Sequence, residues 1–99
     1  MESIEMSATS DVDSLVKRMV DLLLLGGGGD WAATLEQVRE RFDENIVDMT
    51  YGFLSMYGGS GSINDVVLYQ EGKVLVAENC EFDCLRSRLY ELCKKLNKI

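Results

Sequence analysis

Apolar side chains recur along this chain in two different rhythms. From Val12 they fall at three- and four-residue steps: Val12, Leu15, Val16, Met19, Leu22 and Leu23. That spacing is one face of an α-helix, so a helix is predicted from Ser10, as its N-cap, to about Leu25. Asp11 and Asp13 fall in its first turn, where carboxylates meet the positive end of the helix dipole. The run GGGG, Gly26 to Gly29, ends it. Asp30 is placed to cap a second helix, WAATLEQVRERF, with Trp31, Leu35, Val38 and Phe42 inward and Glu36, Arg39 and Glu40 outward. A third segment, ENIVDMTYGFLSMY, sets Ile46, Met49, Phe53 and Met56 or Tyr57 on one stripe.

The rhythm then changes. INDVVLYQ and KVLVAE are short and rich in β-branched residues, and Glu71-Gly72 between them suits a two-residue hairpin turn. A β-hairpin with strands at about 63–70 and 73–78 is predicted. A last helix follows, capped by Asn79, with Glu81 and Asp83 in its first turn. Phe82, Leu85, Leu89, Leu92 and Leu96 form its stripe, and Lys94, Lys95 and Lys98 complement its C-terminal dipole. Residues 1–9 show no period and are read as a flexible tail. Residues 10–99 are read as a single α+β domain: three N-terminal helices, the hairpin and a C-terminal helix, with the helices packed on one face of a small antiparallel sheet.

Composition narrows the functional classes. The formal charge of −7 is unevenly spread: residues 1–50 hold 11 acidic and 4 basic side chains, whereas residues 51–99 hold 6 of each. A field of that sign repels phosphate backbones and attracts cationic surfaces, which disfavours nucleic acid and favours a basic protein partner. The longest apolar run, Leu22 to Leu25, is far below the roughly 20 residues a membrane span needs, and the acidic start is no secretory signal. A soluble, cytoplasmic protein is expected.

Candidate chemistry is thin. With no histidine, the usual Ser-His-Asp and Cys-His hydrolases are excluded. Glu36 with Glu40, and Glu44 with Asp48, are helix-spaced carboxylate pairs. Such pairs become acid and base only when one member is desolvated. Cys80, Cys84 and Cys93 do not converge within one helix, so no zinc or other cofactor is expected, and reduced, buried thiols are. The chain reads as a binding protein and not an enzyme.

The loop YGGSGSINDVVL poses the sharpest question. A phosphate-binding P-loop runs strand, glycines, Gly-Lys-Ser/Thr, helix, whereas here glycines follow a helix and precede a strand. Gly58, Gly59 and Gly61 are therefore read as the corner between helix and sheet, with Asn64 and Asp65 bonding the loop's amides. The alternative is a polar recognition edge of Ser60, Ser62, Asn64 and Asp65. The same stretch resembles the Tyr/Phe-Gly-Gly-Met-Gly-Ser-apolar-Asn-Asp core of a family of small bacterial proteins. Gly58, Gly59, Gly61, Ser62, Asn64 and Asp65 match that core, and Ser60 replaces its methionine. Trp31, Ala32 and Leu35 match a preceding Trp-Ala-x-x-Leu helix. Some members of that family look like immunity proteins encoded beside secreted toxins.

The resemblance and the acidic half together imply an inhibitor of a cognate basic toxin domain, for instance one acting on nucleic acid. Glu36, Glu40, Asp43, Glu44 and Asp48 are the expected contact patch, with Trp31 or Tyr51 as an aromatic anchor. The alternative is a self-associating adaptor, a homodimer paired through the stripe of the last helix.

Overall fold

The structure is a computed structural model that describes residues 4–41, 45–58 and 62–97. Four helices carry the architecture: α1 (Ile4–Leu25), α2 (Gly29–Arg41), α3 (Ile46–Leu54) and α4 (Val76–Asn97). Between α3 and α4 lie two single 3₁₀ turns, Ser55–Tyr57 and Ile63–Asp65, and a hairpin of β1 (Tyr69–Gln70) and β2 (Lys73–Val74). The order and the α+β class are those expected from the two rhythms. α1 packs against both α2 and α4, and α3 packs along α4.

The predicted helical faces are the buried ones. Val12, Leu15, Val16, Met19, Leu22 and Leu23 of α1 meet Leu35 of α2, Met49 and Phe53 of α3, and Phe82, Leu89, Cys93 and Leu96 of α4. Trp31, Val38, Leu85 and Leu92 are half-buried against this core. Phe42 lies outside the described residues. The stripe of the last helix is therefore covered by its own chain, and a dimer formed through it would first have to open the core.

Element ends differ from the expected ones, each for a local reason. Residues 4–9, expected to trail as a tail, open α1, so Ser10 lies within that helix and does not begin it. Neither glycine nor proline interrupts them. Asp30 sits in the first turn of α2, which starts at Gly29. Asn45 is the cap of α3, its side chain accepting from the Asp48 amide at 3.1 Å. The strands are two residues each. Residues 63–65 coil because the Ser62 hydroxyl accepts from the Asn64 amide, and α4 takes over at Val76 once the Asn79 amide reaches the Leu75 carbonyl. The turn between the strands is the predicted tight one, with Glu71 at φ 52° and Gly72 at φ 78°.

Two glycines explain how the hairpin meets the helices. Gly27, at φ +85°, lets the Gly28 amide return to the Leu23 carbonyl at 2.7 Å and close α1. Gly26 lies directly beneath Leu68: a Cβ there would fall 2.5 Å from the Leu68 Cβ. The Gly26 carbonyl also accepts from the Tyr69 amide at 3.0 Å, so β1 is moored to the end of α1. Leu68 and Leu75, flanking the strands, bring the hairpin's base into the core. Asn79 clasps that base. Its carbonyl accepts from the Leu68 amide at 2.8 Å, and its amide donates to the Leu68 and Leu75 carbonyls at 3.0 and 2.7 Å.

Candidate partner interface

The acidic residues of the N-terminal half do not share one fate. Arg39 donates to Glu36 and to Asp13, both at 3.0 Å, joining α2 to α1. Glu36 first, then Asp13, hold its guanidinium well above the ordinary arginine value despite some desolvation. Glu36 is thus half-buried and already balanced. Glu40 on α2 and Asp48 on α3 remain exposed. Asp43 and Glu44 lie outside the described residues. Arg18 and Glu81 make a bidentate pair at 2.6 and 2.8 Å across α1 and α4. The hydrogen bond from Arg18 is what lowers the Glu81 carboxyl below its usual range.

Of the two candidate anchors, Trp31 rests on the core, whereas Tyr51 is 70% exposed. Val47 and Asp48 stand one turn before it on α3, also exposed. Val47, Asp48 and Tyr51 thus give the exposed side of α3 an acidic and an aromatic side chain.

The loop after α3 is occupied with its own structure. Gly58 is extended, at φ −99° and ψ 147°, and Gly59, Ser60 and Gly61 lie outside the described residues. Ser62 is buried, its hydroxyl engaged by the Asn64 amide. The Asn64 side chain donates to the Tyr57 carbonyl at 3.1 Å, so it bonds a carbonyl where an amide was expected. Asp65 is exposed within the 3₁₀ turn. Of the expected recognition edge, Asn64 and Asp65 reach the surface and Ser62 does not.

What holds this loop to the helices is Arg86, which the sequence reading did not single out. Its Nη1 donates to the carbonyls of Ile63 at 3.0 Å and Val66 at 3.3 Å, and its Nη2 donates to Asp83 at 2.7 Å. Its guanidinium lies 5.4 Å from the centroid of the Phe82 ring. The Tyr57 hydroxyl donates to the Arg86 carbonyl at 2.7 Å, and burial pushes that phenol far above its usual value. The only trace in the sequence was the i, i+3 spacing of Asp83 and Arg86. A cleft of about 350 Å³ opens beside this latch, lined by Tyr57, Asn64, Ser87, Tyr90 and Glu91. A larger groove of about 630 Å³ runs between α1 and α4, with Leu15 and Leu92 among charges of both signs, including Asp11, Arg88 and Lys95.

The thiols divide. Cys80 and Cys84, expected to be buried, are exposed because they fall on the side of α4 opposite Phe82 and Leu89. Cys93 is buried, and burial pushes its thiol up to about 12. Among the described residues no group of three or more cysteine, aspartate or glutamate side chains is placed to hold a metal ion. No helix of the described residues is long and apolar enough to cross a membrane.

Residues 25–76 match a family described as Domain of unknown function (DUF6966), which is just over half of the chain. The chain belongs to that family. The DUF6966 segment contains the Gly26 mooring, α2, α3, the polar loop and the hairpin; most of α1 and nearly all of α4 fall outside it. No curated protein matches the chain. No solved structure matches it either.

Proposed function

We propose that this DUF6966 protein is a non-enzymatic inhibitor, an immunity protein that binds and neutralises a basic toxin domain in the bacterial cytoplasm. The observation that carries the reading is the joint exposure of Glu40, Asp48 and Tyr51 on α2 and α3, with both carboxylates in the half of the chain that holds all the excess negative charge. Exposed carboxylates and a bare aromatic side chain are what a basic partner meets well. The charges steer the encounter, and the ring supplies desolvated contact area. Glu36 contributes less, since it is half-buried and already paired with Arg39. The likeness of the Gly-Gly-x-Gly-Ser-x-Asn-Asp stretch to the core of a bacterial family, some members of which resemble immunity proteins, supports the same reading.

The test begins with immobilised protein and native lysate, eluted by rising salt, followed by titration of the captured protein. Glu40→Lys with Asp48→Lys is expected to weaken binding at least tenfold and to flatten its salt dependence. Binding left unchanged by the double reversal would defeat the reading. Self-association through the last helix is a weaker alternative, because Phe82, Leu89, Cys93 and Leu96 are already buried within the chain.

A further inference from the structure

The cleft beside the Arg86 latch is selective in its lining. One wall is an aromatic pair: the Tyr57 and Tyr90 rings pack against each other with centroids 5.1 Å apart, tilted by 50°. The remaining lining residues are Asn64, Ser87 and Glu91, so the one formal charge in the cleft is a carboxylate. Tyr57 is fixed by its hydroxyl bond to the Arg86 carbonyl, and Asn64 by its bond to the Tyr57 carbonyl. Tyr57 and Asn64 are thereby held before any ligand arrives. Ring faces, a hydroxyl, an amide and a carboxylate together suit a cation with N–H donors. The chain supplies an independent sign of that preference: its own Lys94 ammonium lies 5.3 Å from the centroid of the Tyr90 ring.

We infer that this cleft is a receptor for a single cationic side chain, arginine above lysine, presented by a protein partner, with the Tyr57–Tyr90 pair as its aromatic wall and Glu91 as counter-ion. Arginine is favoured because its planar guanidinium can stack on a ring while donating to a carboxylate at its edge. A volume of about 350 Å³ is ample for one such side chain. Lys94, which lines the neighbouring groove between α1 and α4, sets a like charge against the same ring. The inference rests on the reading of a basic partner for the source of the arginine. It places a second contact on α4, away from Glu40 and Asp48.

The deciding experiment uses the full chain and N-acetyl-arginine amide, followed by amide and aromatic NMR shifts, with the neutral isostere N-acetyl-citrulline amide as control. Saturable shifts confined to the neighbourhood of Tyr57, Tyr90 and Glu91 are expected for arginine and not for citrulline. Tyr90→Leu is expected to weaken binding about fivefold, the loss of one cation–π contact. Glu91→Gln is expected to weaken it by a similar factor. Lys94→Met is expected to tighten it more than Lys73→Met does, the same charge change outside the cleft lining. Equal binding of citrulline, shifts centred elsewhere, or affinity unchanged in both Tyr90→Leu and Glu91→Gln would overturn the inference. The titration needs no partner, so it is decided separately from the charge-reversal test on Glu40 and Asp48.

Discussion

Arg86 is the residue whose removal should cost this fold most for the least change in shape. Arg86→Met keeps much of the side-chain length and deletes every donor. The Ile63 carbonyl then retains only a long turn bond from the Val66 amide at 3.4 Å, and the Val66 carbonyl loses its bond to the guanidinium. Hydrogen bonds from a charged donor are worth about 1.5–3 kcal/mol each; counting the 3.0 Å bond fully and the 3.3 Å bond at half gives a loss of about 3 kcal/mol. The ion pair with Asp83 adds little, since the Asp83 side chain is 67% exposed. For a domain of this size a loss of about 3 kcal/mol lowers the Tm by roughly 12–20 °C. Urea unfolding at neutral pH, followed by far-UV circular dichroism and by Trp31 fluorescence, measures the difference. Arg86→Lys, which can restore one donor, should fall between the two. A loss below about 1 kcal/mol for Arg86→Met would show that the guanidinium behaves as an ordinary surface ion pair and that the loop is held by other contacts.

Three further outcomes are expected. Gly26→Ala drives a Cβ to 2.5 Å from the Leu68 Cβ, so urea unfolding should register a loss of about 1–3 kcal/mol from overpacking. In native protein a thiol reagent should titrate Cys80 and Cys84 promptly, with Cys93 reacting only on unfolding; three thiols reacting at one rate would contradict the packing of α4. Glu81 is lowered in the fold by Arg18, so its contribution to stability is present above the usual glutamate range and disappears as the pH falls through its folded value. Glu81→Gln should therefore lower the urea midpoint near neutrality and leave it nearly unchanged in strong acid, and an equal drop at both would show that the loss is not electrostatic.

The two halves of this picture were not equally legible in the residues. The inward faces of α1, α3 and α4 were read directly, because a 3.6-residue period survives in the order of Val12, Leu15, Val16, Met19, Leu22 and Leu23 whatever those side chains later touch. The hairpin turn was legible for a related reason, since Glu71-Gly72 sets a local backbone geometry. Helix ends were less so. Asn79 looks like a cap in sequence, and only the fold shows its side chain bonded to Leu68, eleven residues earlier.

The candidate surface divides along the same line. That the negative charge lies in the first fifty residues is a property of the chain itself, fixed by counting. Which carboxylates remain available is not, because pairing depends on distance across elements: Asp13 and Glu36 meet at Arg39, while Glu40 and Asp48 stay exposed. Tyr51 and Trp31 are both aromatic residues on helices, and nothing local separates the one left 70% exposed from the one resting on the core. Tyr57, Asn64, Tyr90 and Glu91 form a cleft only because Arg86 fastens the turn after the glycines to α4, through contacts some twenty residues apart in the chain. Periodicity and charge are written in the order of residues and so were determined by sequence alone. Adjacency between α4 and the loop is created by burying the apolar stripes together, and the tertiary structure alone decided it.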